Sequence, residues 1–159
     1  MNCKEFYLDD VMAIVAVPVE DYDFWPYVSP LQPTIASDDF SLPVTNAIVI
    51  GQQAATDGGD LIPIIKMTGK AEDTEDDSVA GRKHTVTVKC EVDDRDFETW
   101  PLLRMLEIAP RHLLLTFRGK KQAFVAASED TYKFSVSRNG AKTSVQFRIE
   151  CFSGLQLII

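Results

Sequence analysis

Asn139-Gly140 lies between two runs that alternate apolar and polar residues across 131–152, and this dipeptide constrains the chain more than any other feature. Both central residues of a type I′ turn need positive φ, so Asn-Gly between alternating runs predicts a β-hairpin. With those two residues as the loop, Arg138 is expected opposite Ala141, Val136 opposite Thr143, Phe134 opposite Val145 and Tyr132 opposite Phe147, while Lys133 meets Gln146 and Ser135 meets Ser144. The large apolar residues then share one face. A slip of one residue would send them to the other face, so turn chemistry and hydrophobic pattern specify the hairpin independently.

The same period runs through 82–92, where Val86, Val88, Cys90 and Val92 point one way and Thr85, Thr87, Lys89 and Glu91 the other. Residues 12–17 read as a buried strand, and the short apolar runs 47–50 and 61–68 read as two more, separated by Gly51, Gly58 and Gly59. Pairing 61–68 with 82–92 gives a long hairpin. Its tip is residues 70–81, where Glu72, Asp73, Glu75, Asp76 and Asp77 make the segment too acidic to pack, so a mobile loop is expected. Deleting 72–78 should then leave the core folded, because such an insert buries nothing apolar.

Asp93, Asp94 and Asp96 precede Phe97, Trp100, Leu103, Met105, Leu106 and Ile108, the pattern of an acidic cap followed by helical spacing. This predicts one short α-helix near residues 96–108. Pro101 is tolerated only in a first turn, so the regular helix is expected to start near Thr99, and Ala109-Pro110 ends it. An apolar strand over 112–117, a turn at Gly119 and a returning strand over 122–127 follow, and Gly154 breaks the last apolar run. The expected fold is mainly β, a β-sandwich or partly open barrel, mostly antiparallel, with that single helix. At 159 residues and 45% hydrophobic content, 1–159 reads as a single domain. The Pro-rich segment 18–43, with Pro18, Pro26, Pro30, Pro33 and Pro43, excludes a long helix or central strand. Its Phe24, Trp25 and Tyr27 read as anchors of a loop on its own core, or as contacts with another subunit.

A net charge of −8 argues against phosphate or anionic-membrane binding, since such affinity rests on Lys and Arg. Arg118, Lys120 and Lys121 form the densest basic patch and read as a solubilising turn. Glu5, Asp9 and Asp10 ahead of the apolar run 11–19 do not make a secretory signal, and no run has the length of a membrane span, so cytoplasmic residence is expected. Cys3, Cys90 and Cys151 form no CxxC couple and are read as reduced thiols, the last two as small buried hydrophobes. His84 and His112 have no Cys, Asp or Glu at a spacing that closes a zinc site. The acidic segment lacks the glycine and terminal Glu of an EF-hand. Asp93, Asp94, Asp96 and Glu98 include pairs suited to acid-base chemistry, but their place at a helix start favours capping. No nucleophile motif or phosphate cradle is present, so no catalytic, cofactor-binding or metal residues are expected.

The order long strand, capped helix, apolar strand, returning strand and terminal hairpin over 82–159 resembles the core of tail-tube and related tail proteins of long-tailed bacteriophages. Residues 147–157 are similar to the closing strand of such phage-encoded proteins, and the likeness covers about half of the chain. It implies a small β-sandwich or barrel flanked by one helix. It also implies a non-enzymatic structural subunit, found in a virion or prophage, that assembles with itself or with other phage structural proteins and binds neither membrane nor specific nucleic acid. The alternative is a small-ligand-binding β-barrel or sandwich of the cytoplasm.

Overall fold

A computed structural model describes residues 5–19, 34–36, 46–52, 60–78, 81–94, 97–140, 142–151 and 154–159, with 5–9, 77, 78, 81 and 82 described as backbone only. In chain order the strands are β1 (Glu5–Asp9), β2 (Val11–Pro18), β3 (Thr34–Ile35), β4 (Ile48–Gly51), β5 (Asp60–Pro63), β6 (Lys70–Ser78) and β7 (Gly81–Val92). Helix α1 (Trp100–Ile108) follows, then β8 (Arg111–Phe117), β9 (Gln122–Val125), β10 (Tyr132–Asn139), β11 (Lys142–Cys151) and β12 (Gln156–Ile158). They form a five-stranded sheet in the order β1-β6-β7-β11-β10 and a seven-stranded sheet in the order β3-β12-β9-β8-β2-β4-β5. All pairs are antiparallel except β3 with β12 and β4 with β5. Neither sheet closes into a barrel.

One hydrophobic cluster draws on both sheets and on the helix: Ile14, Leu113 and Leu115 from the larger sheet, Val88, Phe147 and Ile149 from the smaller, and Leu103 and Leu106 from α1. Its layout follows the strand period. Val86, Val88, Cys90 and Val92 are all buried, and Val145, Phe147 and Ile149 bury against them from β11. Arg111 is buried at the start of β8, where its guanidinium donates to the carbonyls of Ala16 and Asn46 and ties β2 to the residue leading into β4. Thr99 is the residue that enters the helix, and Pro101 falls in the first turn, where a missing N–H costs nothing.

Three sequence expectations are corrected. The segment expected as a mobile loop over 70–81 is a strand over Lys70–Ser78: β6 pairs with β1 on one side and β7 on the other. Within the acidic strand Ala71 faces the core and Asp73 bonds the His84 ring of β7, while the strand's backbone is paired on both sides. Residues 60–63 instead form β5, parallel to β4, and the residues after it meet β7 through an Ile64–Val92 bridge and two hydrogen bonds, the Ile65 N–H donating to the Glu91 carbonyl and the Glu91 N–H to the Thr68 hydroxyl.

The terminal hairpin forms with the expected face but in a register shifted by two. Asn139 pairs with Lys142, Val136 with Val145, Phe134 with Phe147 and Tyr132 with Ile149, so Asn139 belongs to the ladder and Gly140 begins the loop. The shift sets Ile149 opposite Tyr132, and every large apolar residue of β10 then meets an apolar partner. Side-chain period two keeps the core face unchanged. Gly140 takes φ +65° as first loop residue, the position that a type II′ turn gives to glycine. Gly140→Val should lower stability by about 1 to 2 kcal/mol, since a β-branched residue resists positive φ. An unchanged urea midpoint would contradict this turn. The expected contacts of Phe24, Trp25 and Tyr27 lie outside the described residues.

Candidate functional site

Strand β10 is an edge of the smaller sheet, and its free side is legible from the ladder. The Glu150 N–H donates to the Thr131 carbonyl, which sets the alternation: Lys133, Ser135, Ser137 and Asn139 exchange hydrogen bonds with β11. The N–H and C=O groups of Phe134, Val136 and Arg138 therefore point away from the sheet. Among the described residues they have no backbone partner. The Tyr132 N–H differs, donating to the Ser128 carbonyl at 3.2 Å.

Helix α1 runs beside this edge. The Tyr132 hydroxyl donates to the Leu106 carbonyl at 2.7 Å near the helix C-terminus, and burial pushes the phenol well above its ordinary pKa. A concavity of about 320 Å³ lies between the two elements, lined by Trp100, Arg104 and Glu107 from the helix and by Ser135, Val136 and Arg138 from the strand. At the other end of α1, the side chain of half-buried Asp94 is shielded from solvent and accepts hydrogen bonds from the Thr99 N–H and hydroxyl, while Arg138 reaches it at 2.8 Å. The Arg138 guanidinium also lies 4.2 Å from the centroid of Trp100. Phe97, 62% exposed, stacks edge-on with Trp100, 44% exposed, and holds φ +60°. An aromatic residue kept outward in a left-handed conformation is a strained arrangement that the surrounding contacts must enforce. Trp, Phe and Arg together at the surface have the composition of an interface anchor.

Burial alone would raise the Asp94 pKa, but the hydrogen bonds from Thr99 and Arg138 outweigh it and hold the carboxyl below its ordinary value. The stabilisation from Asp94 is therefore complete above the unfolded value, about 4, and is lost as pH falls through the lower folded value. Asp94→Asn should cost about 1 to 2 kcal/mol at neutral pH, the worth of charge-assisted hydrogen bonds. Thermal unfolding should show that difference shrinking as the pH drops below about 4. A difference constant across pH would refute the carboxylate's role.

The residues weighed for chemistry lie elsewhere. His84 Nδ1–H donates to Asp73 Oδ1 at 2.7 Å, and Asp73 Oδ2 accepts the Leu155 N–H at 2.9 Å. Cys151 sits opposite His84 in the register, so Cys, His and Asp share one end of the smaller sheet's inner face. This is a clasp for the terminal segment. Gly154, at φ +63°, packs so closely that a Cβ there would come within 2.6 Å of Asp73 Oδ2 and 2.7 Å of His84 Nδ1, leaving no space for a substrate on that side. Sequence reasoning missed the pair because it read Asp73 as part of a loop.

His112 is buried on β8, its Nδ1 accepting the Ala127 N–H at 3.0 Å. Burial, reinforced by Glu91, pushes the Cys90 thiol up to about 12, which makes it an inert core residue. Among the described residues no three His, Cys, Asp or Glu side chains group as a metal site. Arg118 and Lys120 occupy the β8–β9 turn, with Arg118 3.7 Å from Asp10. Among the described residues no helix is long and apolar enough to cross a membrane. No known protein family, curated protein or solved structure matches this chain.

Proposed function

We propose that this chain is a non-enzymatic assembly subunit of the kind built into phage or prophage tails, and that it self-associates through its sheet edges. The observation that carries the reading is the β10 edge, where backbone groups at Phe134, Val136 and Arg138 have no backbone partner among the described residues and lie beside exposed Phe97 and Trp100. An edge with unpaired backbone groups is a template for another strand, and helix α1 flanks this one without a backbone bond to it among the described residues. β10 carries no proline and no bulge. Two open sheets with one helix also agree with the fold that the tail-protein resemblance implies.

Sedimentation and light scattering from micromolar to millimolar concentration, with negative-stain microscopy of the concentrated sample, test the reading. Concentration-dependent assembly is expected. A chain of single mass throughout, with no ring or tube, would overturn it.

The alternative reading, a small-ligand-binding protein, is favoured by one feature: a concavity of about 470 Å³ on the outer face of the smaller sheet, lined by Lys70, Lys89, Ser135, Ser144 and Gln146. A polar ligand retained by the monomer would support it.

A further inference from the structure

We infer that the partner at this edge is β10 of a second copy, paired antiparallel about a two-fold axis at Val136, so that two five-stranded sheets become one continuous sheet. The inference rests on the self-association reading and names its geometry.

The register follows from the open groups. Antiparallel strands bond through residues whose N–H and C=O face each other, here Phe134, Val136 and Arg138 on each copy. Only one alignment engages all three on both chains, with Val136 opposite the partner's Val136 and Phe134 opposite the partner's Arg138. Shifting by two residues either leaves one of the three unpaired or sets Arg138 against Tyr132, whose N–H is already committed to Ser128.

Side chains agree with that alignment. On the outer face Ser135 meets the partner's Ser137 and Lys133 meets the partner's Asn139, so no like charges oppose one another. On the inner face valine meets valine. Other edges offer less: β1 has five residues, β3 has two, and β5 has four and ends at Pro63, which lacks an N–H. Backbone pairing alone would give a small interface. Exposed Trp100 and Phe97, next to Arg138, extend it with the residue types that anchor stable contacts.

The decisive variant is Val136→Pro, which removes an N–H that the hairpin itself does not use and spares the β10–β11 ladder. The parent chain should reach twice its single-chain mass as concentration rises, and Val136→Pro should lose that dimer with an unchanged circular dichroism spectrum. In an otherwise unaltered chain, Ser135→Cys with Ser137→Cys should form a reducible covalent dimer on mild oxidation that the parent does not form. Should the proline variant fail to fold, the cross-link decides alone. Assembly that persists in Val136→Pro and yields no cross-link overturns the two-fold pairing and leaves self-association standing. A chain of single mass at every concentration overturns both.

Discussion

A chain lacking residues 72–78 is expected to lose its cooperative unfolding transition. The deletion removes most of β6, which joins β1 to β7, and with it the ladders from Glu5–Thr74 to Tyr7–Glu72 on one side and from Glu72–Thr87 to Ser78–Gly81 on the other. It also removes Asp73, whose carboxylate holds both His84 and the Leu155 N–H. β7 would then be exposed as an edge carrying Val86 and Val88 on its core face, and burying one valine contributes about 1.5 to 3 kcal/mol. Thermal or urea unfolding followed by two probes tests this, since coincident transitions mark cooperativity. A sharp, native-like transition in the deleted chain would show that the acidic strand is dispensable, as its composition alone suggests.

Phe147→Ala should destabilise by about 3 to 5 kcal/mol, the cost of emptying a large aromatic site that cannot fully collapse. Phe147 is fully buried on β11, with its ring 4.8 Å from Phe134 and 6.2 Å from Tyr132 between centroids, and it faces Val88 across the sheet. Phe147→Leu should cost about 1 kcal/mol, because it keeps most of the volume. Urea midpoints at unchanged slope measure both. Equal loss for alanine and leucine would show that the ring contacts, not the filled volume, dominate.

The hairpin shows how far local pattern carries. Alternation placed Tyr132, Phe134, Val136, Val145 and Phe147 on one face, and the structure agrees. Turn chemistry assigned the loop to Asn139-Gly140, whereas the ladder closes at Asn139–Lys142. A shift of two preserves every face, so the pattern could not distinguish the two registers. The apolar match of Ile149 with Tyr132 did. For residues 70–78 composition pointed the other way from pairing: five carboxylates argue for solvent, yet the strand is bonded on both sides and its Asp73 is held by His84 on the neighbouring strand.

The candidate surface was legible only in its parts. The acidic residues were read as a helix cap with Phe97 in the helical stretch, whereas Thr99 is the N-cap, no acidic residue lies in the first turn and Phe97 precedes the helix. Asp94 instead binds Thr99 and Arg138, the latter 44 positions away in sequence. Likewise nothing local marks β10 as an edge, because a strand is an edge only by virtue of which strands lie elsewhere.

What the amino-acid sequence determined by itself is the direction side chains face along the alternating strands and the position of the lone helix. Those depend on φ/ψ preferences and on periods of two and 3.6 residues, which act over a few neighbours. Tertiary structure alone decided the order of strands, the hairpin register, the use of an acidic segment as a strand and the open side of β10. These rest on contacts between distant residues, such as Asp73 with Leu155 across 82 positions, whose energies exist only once the two sheets enclose a common core.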